Sequence, residues 1–301
     1  MSAASLAGAV RIAAPAKLNL FLHIVGRRPD GYHLLDSLIA FASVHDTLVA
    51  APAHQLTLTL DGPFGADLDG AGDDNLVLKA AWALAEVAGQ PAQGALRLTK
   101  RLPVASGIGG GSADAAAAIK ALVKLWRLTP TPEQLSSIAL SLGADVPVCL
   151  AGHVARVGGI GEGIATVGRL PNCGLVLVNP RVPLATAAVF KARQGVFSRR
   201  ASFDRMPNDV AGLAAALRNT NNDLEAPARA LLPLIDDVLE AIAGLKGCLI
   251  ARMSGSGATC FGLFADERAA QSASADLATR NQGWWVAPGR LLNATDDLVP
   301  L

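Results

Sequence analysis

Between Leu18 and Val25 the chain alternates, with Leu18, Leu20, Leu22 and Ile24 on one side and Asn19, Phe21, His23 and Val25 on the other. That period of two predicts a strand with two different faces. Arg27-Arg28-Pro29-Asp30-Gly31 carries Pro, Asp and Gly in turn positions, and Tyr32-His33 opens a second strand through Leu34, Leu35, Leu38, Ile39 and Phe41. His45 to Ala51, then Gln55 to Leu60 with strict Leu/Thr alternation, predict two further antiparallel strands. A Gly- and Asp-rich loop from Gly62 to Asp74 precedes a helix through Leu76, Leu78, Trp82, Leu84 and Val87, capped by Asp74-Asn75 and stopped by Gly89. A strand-like run follows from Ala95 to Lys100. Ala115, Ala118, Ile119, Leu122, Val123 and Trp126 then recur at helical spacing, which predicts a helix from Ala113 to Trp126 with one buried face. Thr131-Pro132-Glu133-Gln134 is a capping box with Pro at the first helical position, and its helix closes at Gly143.

The pattern changes through Gly158-Gly159-Ile160-Gly161-Glu162-Gly163, and a domain boundary is expected just beyond it, dividing the chain into residues 10–165 and 166–301. From Gly174 the order is strand (Leu175 to Asn179), helical region (Leu184 to Glu240), strand (Cys248 to Met253), tight turn, strand (Ala258 to Phe264), helix (Glu267 to Arg280) and strand (Trp284 to Leu291). That β-α-β-β-α-β order is ferredoxin-like, and the fold class expected for the whole is α+β.

Composition narrows the class. With 301 residues, 51% hydrophobic and 17% charged, the chain is long enough for two domains with real cores and too apolar to be disordered. A net charge of +1 without a Lys/Arg run argues against a nucleic-acid or membrane surface as main partner, so any basic group that binds an anion is local. Cys149, Cys173, Cys248 and Cys260 lie far apart among apolar residues; this is neither a zinc site nor a disulfide framework, and it suits a reducing cytoplasm. His45 and His54 have no partner at metal-site spacing. Met1 to Val10 lacks a basic n-region and reads as a loose tail rather than a signal peptide. No stretch reaches transmembrane length. Oligomeric state leaves no readable signature.

The chemistry concentrates in Pro103-Val104-Ala105-Ser106-Gly107-Ile108-Gly109-Gly110-Gly111-Ser112-Ala113-Asp114, between a strand and a buried helix. Glycines there let the backbone bend and let a ligand approach, and the helix start leaves free N–H groups aimed at one place: an anion site. Two familiar phosphate loops do not fit. A Walker A loop needs Lys-Ser or Lys-Thr after its last glycine, where this chain has Ser112-Ala113. A dinucleotide fingerprint needs Gly or Ala where Ser112 stands, and an acidic residue closing a following strand. A glycine-rich turn without a ligand remains the bland alternative.

Pro-x-x-x-Gly-Ile-Gly-Gly-Gly-Ser-Ala resembles the central motif of the galacto-, homoserine, mevalonate and phosphomevalonate kinase superfamily, and its triple glycine resembles the 4-diphosphocytidyl-2-C-methyl-D-erythritol kinase branch. Pro15-Ala16-Lys17-Leu18-Asn19-Leu20, Gly31-Tyr32-His33, Gly143-Ala144-Asp145-Val146-Pro147, Asn222-Asp223-Leu224-Glu225 and Ser254-Gly255-Ser256-Gly257 match further stretches of that branch in order, from about Pro15 to Phe264. The departures are Ser106 for a frequent glycine, Ile108 for leucine, and Ala113 where the branch often has a second serine. By itself Asp145 would read as turn chemistry, Lys17 as a solvated strand end and Tyr32 as a strand residue after a turn.

The resemblance implies a two-domain small-molecule kinase fold, with a left-handed βαβ crossover in the N-terminal domain and a ferredoxin-like C-terminal domain. It implies ATP-dependent phosphorylation of the 2-hydroxyl of 4-diphosphocytidyl-2-C-methyl-D-erythritol, in the non-mevalonate route to isoprenoid precursors. Residues Pro103 to Ala113 would carry the ATP phosphates, and Lys100 and Asn75 are secondary candidates for nucleotide contact, although Lys100 reads equally as an exposed strand-end charge. Mg²⁺ would bridge phosphate oxygens, with Ser112 as the one hydroxyl left to reach it. Asp145 would take the acceptor's proton. Lys17 would keep Asp145 ionised and stabilise the alkoxide, and Asn19 would orient the methylerythritol. Tyr32 and Phe190 would hold the cytosine between them, with His33 reading its edge. A sister kinase of homoserine or mevalonate type, or an inactive ligand-binding relative, are the alternatives; retention of both Lys17 and Asp145 speaks against the last.

Overall fold

The computed structural model describes residues 8–203 and 205–298, so most of the stretch read as a loose tail, Met1 to Ala7, lies outside them. Strands β1 (Val10–Arg27) and β2 (His33–Ala51) form one long antiparallel hairpin. The two separate strands expected over 32–41 and 45–51 are therefore one. The gap in the pattern at Ser43-Val44 is taken up as a register shift, Pro15 facing His45 while Lys17 faces Phe41, and not as a chain reversal.

Strand β3 (Leu56–Asp61), helix α1 (Leu76–Ala88) and strand β4 (Gly94–Thr99) follow. β3 runs parallel to β4, and β4 lies between it and β2, so the antiparallel pairing expected for residues 55–60 does not occur. Alternation says which face a strand buries; it says nothing about direction, and here α1 carries the chain back before it pairs. This β3-α1-β4 unit is the βαβ crossover of the N-terminal half. Helix α2 (Gly110–Leu125) starts three residues before the expected Ala113, because its first turn takes in Gly110 and Gly111. Helix α3 (Pro132–Leu142) carries the expected capping box, with Thr131 Oγ1 accepting from the Gln134 N–H and Gln134 Oε1 from the Thr131 N–H. A short helix, α4 (Val146–Ala151), and a hairpin of β5 (Ala155–Gly159) and β6 (Gly163–Thr166) had no clear period in the sequence. Helices α1 to α4 close a core over the sheet around Leu48, Leu84, Leu98, Ile119 and Leu122, all buried.

The C-terminal half contains β7 (Gly174–Asn179), α5 (Thr186–Ala192), α6 (Val210–Arg218), α7 (Glu225–Leu231), α8 (Leu234–Ala243), β8 (Ile250–Met253), β9 (Cys260–Phe264), α9 (Glu267–Arg280) and β10 (Trp285–Leu292). Its strand order β10-β7-β9-β8, antiparallel throughout, is the ferredoxin-like order. The single helical region expected from Leu184 to Glu240 resolves into four short helices. The described residues between 193 and 209 hold no helix, and Gly195, Pro207 and Pro233 fall at the interruptions. β10 also pairs with β2 through Leu291–Ala42 and Leu292–Phe41, which joins both halves into one sheet. A second core spans the junction, packing Leu18, Leu20 and Leu38 against Leu175, Leu177 and Phe261. Cys149, Cys173 and Cys260 are buried and Cys248 is half-buried, all as free thiols. No helix among the described residues is long and apolar enough to cross a membrane.

Candidate active site

The glycine loop sits where the two halves meet. Gly109 takes φ +62° and closes the N-terminus of α2 without a side-chain cap. The first intrahelical bond runs from the Ala113 N–H to Gly109 O at 2.8 Å. The N–H groups of Gly110, Gly111 and Ser112 therefore have no intrahelical acceptor, and the dipole of a 16-residue helix stands behind them. Gly107 serves a different end: a Cβ there would run into the Gly257 backbone, and one at Gly255 would lie 2.7 Å from Gly107 O. The two glycine-rich segments thus touch backbone to backbone, tied by Thr259 N–H to Ser106 O at 3.1 Å. Gly110 is buried and has no positive φ, so the run is not wholly a surface loop.

Strand β1 brings Lys17 and Asn19 to the same cleft two residues apart, with register shifts just before and just after them. The Lys17 ammonium donates to Asn19 Oδ1 at 3.0 Å and pairs with Asp145 Oδ2 at 3.0 Å. Asn19 Nδ2 donates to Ser37 Oγ at 2.8 Å, and Ser37 donates on to Phe21 O. The Asn19 N–H donates to Ser254 Oγ at 3.1 Å, so both ends of the residue are held. Asp145 is presented on the Gly143 turn, just before α4; its carboxylate is 42% exposed whereas Lys17 is 5% exposed, so Asp145 is the member open to a ligand. The Lys17 N–H donates to Ile108 O at 2.9 Å, which fixes the pair against the loop. Loop and pair share one cleft of about 430 Å³, which also receives Thr186, Phe190 and Ser256 from the C-terminal half.

Other sequence candidates sit around this cleft in unequal ways. Ala105, Ser106, Gly107 and Gly109 to Ser112 line it; Pro103, Ile108 and Ala113 are buried beneath it, and Val104 is exposed. Lys100 is not an exposed strand-end charge. It is 2% exposed and clamped between Asp46 at 2.5 Å and Asp114 at 2.8 Å, behind the loop rather than in the cleft. Burial pushes the Asp114 carboxyl up to about 7 despite the opposing pull of Lys100. Asn75 caps α1 through Oδ1, which accepts from the Val77 N–H at 2.9 Å. Phe190 packs against His33 with ring centroids 5.3 Å apart, while Tyr32 is 62% exposed and lines neither the pocket of that pair nor the cleft. Burial, then the charges of Arg27 and Arg193, hold the His33 imidazole below its ordinary pKa. Sequence reasoning missed Ser37, Thr186, Asp46 and Asp114. Only Asp114 had left a trace, as a charge on the apolar stretch of α2.

No group of three His, Cys, Asp or Glu side chains among the described residues is placed to hold a metal ion. The donor set at the loop is one half-buried hydroxyl, Ser112, beside unbonded helix N–H groups. That set fits a cation held chiefly by the oxygens of a bound phosphate, as magnesium with a nucleotide is.

Comparison with known proteins agrees with this geometry. Residues 75–153 match the GHMP kinases N terminal domain and residues 200–282 the GHMP kinases C terminal domain. The 4-diphosphocytidyl-2-C-methyl-D-erythritol kinase of Paramagnetospirillum magneticum is 54% identical over 283 residues, covering 94% of this chain and 98% of that protein. The protein of the same name from Rhodospirillum rubrum is 51% identical, covering 94% and 93%. A crystal structure of 4-(cytidine 5'-diphospho)-2C-methyl-D-erythritol kinase superposes with a TM-score of 0.74 at 34% identity, covering 94% of this chain and 99% of that one. A homoserine kinase from Cytophaga hutchinsonii shares the fold, with a TM-score of 0.72 at 18% identity. Identity at half of all positions, carried along nearly the full length of both partners, separates this branch from its sisters: the chain belongs to the 4-diphosphocytidyl-2-C-methyl-D-erythritol kinase family.

Proposed function

We propose that this protein transfers the γ-phosphoryl group of ATP to the 2-hydroxyl of 4-diphosphocytidyl-2-C-methyl-D-erythritol, a step of the non-mevalonate route to isoprenoid precursors. The observation that carries the reading is the Lys17–Asp145 pair at 3.0 Å, in one cleft with the open N-terminus of α2. Phosphoryl transfer asks a protein mainly for positioning and charge stabilisation, and the cleft offers both. The N–H groups from Gly107 to Ser112 hold the β- and γ-phosphates at the positive end of α2. Asp145 Oδ2 accepts the proton of the 2-hydroxyl as its oxygen bonds to the γ-phosphorus, and the bond to the ADP oxygen breaks on the far side. Lys17 sets its charge beside the oxygen that loses the proton. Asn19, locked by Ser37 and Ser254, orients the acceptor. Ser112 is the side chain that would reach Mg²⁺, which supplies neutralisation of phosphate charge when bound.

The cytidine end falls to Phe190 and His33, which share one surface pocket, with the exposed Tyr32 beside His33 in the chain as the second aromatic face. A neutral imidazole offers the base edge one donor and one acceptor nitrogen, and its lowered pKa keeps it neutral at pH 7. The four free thiols support a reducing compartment, the cytoplasm. A panel with ATP and the cytidylated methylerythritol, uncytidylated methylerythritol, homoserine and mevalonate, with the product identified, tests the reading. Only the first should turn over efficiently; equal phosphorylation of homoserine or mevalonate would place the chain's activity in a sister branch, and no turnover of any would leave a ligand-binding relative.

A further inference from the structure

Behind the phosphate loop lies a buried charged cluster that touches neither substrate cleft nor solvent. Asp46, toward the C-terminal end of β2, accepts the N–H groups of Arg101 at 2.5 Å and Leu102 at 2.9 Å through Oδ1. These residues are the entry to the loop. Its other oxygen accepts from Lys100 Nζ, and Lys100 also donates to Asp114 Oδ2 at 2.8 Å. Asp114 stands one helical turn after Gly110, where the loop becomes α2. Its remaining oxygen is buried without a hydrogen-bond partner among the described residues, and the group also lies beside Asp46, whose charge helps to push its pKa up. The start of the loop and the end of the loop are thus joined through three side chains, each no more than 3% exposed. Gly110 rests on the same cluster: a Cβ there would lie 3.3 Å from Lys100 Nζ.

Buried ion clusters add little net stability over apolar residues of the same volume, so stability alone does not account for three. Two carboxylates against one ammonium place no surplus positive charge behind an anion site, so attraction of phosphate does not account for them either. What the cluster does supply is fixed distance.

We propose that Lys100, Asp46 and Asp114 form a brace that sets the span of the phosphate loop, making them positioning residues for the nucleotide that act through the backbone of Gly109 to Ser112. The inference rests on the kinase reading above, with ATP as the nucleotide.

The test is direct binding of the non-hydrolysable analogue AMPPNP with Mg²⁺, alongside KM for ATP, KM for the cytidylated acceptor, and the thermal midpoint. Asp114→Leu and Lys100→Met should each weaken AMPPNP and raise KM for ATP roughly 10- to 100-fold, the scale on which a small misplacement of binding groups is felt. KM for the acceptor should stay within about twofold. Asp114→Asn, which keeps an oxygen for Lys100, should recover most of the loss. If Asp114→Leu does not fold, Asp46→Asn breaks the Lys100 link while keeping an acceptor for the Arg101 and Leu102 N–H groups, and it should show the same selective loss. Unchanged AMPPNP affinity in a folded Asp46→Asn or Asp114→Leu protein would overturn the brace alone. So would a rise in both KM values together with the fall in thermal midpoint, or failure of Asp114→Asn to recover binding. Failure of the unaltered protein to bind AMPPNP would overturn the kinase reading and the brace with it.

Discussion

At the scale of single residues, the cleft divides labour between a held lysine and an open carboxylate. Lys17 is fixed by Asn19 and by its own N–H to Ile108, whereas Asp145 keeps nearly half its side chain exposed. A proton acceptor has to be reachable, and its orienting charge has to stay put. Asp145→Asn should therefore cut kcat by about 10²–10⁴, the usual cost of losing a general base, with AMPPNP affinity kept. Near-normal turnover in that variant would assign the proton to another acceptor. His33 makes a second, independent expectation. Its pKa lies below the ordinary 6.5, so the neutral ring persists as pH falls through that value and is lost only further down. KM for the cytidylated acceptor should stay flat from pH 8 through 6.5 and rise at lower pH, and His33→Gln should remove that acid rise. A rise already centred at or above pH 6.5 would take His33 out of base recognition.

At the scale of elements, the caps and turns do what short-range chemistry says they should. Asn75 is both a helix cap and a sequence candidate for nucleotide contact. It lies next to the Leu76 that lines the cleft, yet its oxygen is committed to the Val77 N–H. Asn75→Ala should cost about 1 kcal/mol of stability, as cap removal does, and leave KM for ATP unchanged. Chemical denaturation paired with steady-state kinetics decides it: a tenfold KM change at unaltered stability would return Asn75 to the nucleotide site. Gly107, Gly109 and Gly255 all take left-handed backbone, at φ +76°, +62° and +56°, and at Gly107 and Gly255 two backbones also pass at contact distance.

At the scale of the whole molecule, the halves are joined by the β2–β10 pairing, by the shared core and by one buried carboxylate. Asp36 on β2 takes a two-pronged bond from Arg156 at 2.7 and 2.8 Å and the Ala201 N–H at 2.8 Å. Burial alone would raise its pKa, but these donors outweigh it and hold the group below 3.8. A depressed carboxylate contributes stability that is complete above its unfolded pKa and fades as pH falls towards the folded value. The stability of the protein should therefore decline below about pH 4, more steeply than that of Asp36→Asn, which should already be destabilised by about 2 kcal/mol at neutral pH. Parallel acid-denaturation curves for the two proteins would show that Asp36 is not the linked group.

The sequence by itself determined what is encoded over a few neighbouring residues. The capping box at Thr131, the stop at Gly89, the span of α9 and the ferredoxin-like order after Gly174 were legible because period and cap chemistry act within a turn or a strand. Lys17, Asn19, Ser112, Asp145 and the glycines were legible as motif positions. That Lys17 meets Asp145, and that both meet the loop, was carried by resemblance and became geometry only in the folded chain. Tertiary structure alone decided the direction of β3, the continuity of β2 across Ser43, and the fate of Lys100. The reason is the same in each case. Direction, continuity and burial depend on partners distant in the chain, and local pattern carries no record of which partner closes on which. A lysine at a strand end has one local signature, whether it faces water or two buried carboxylates.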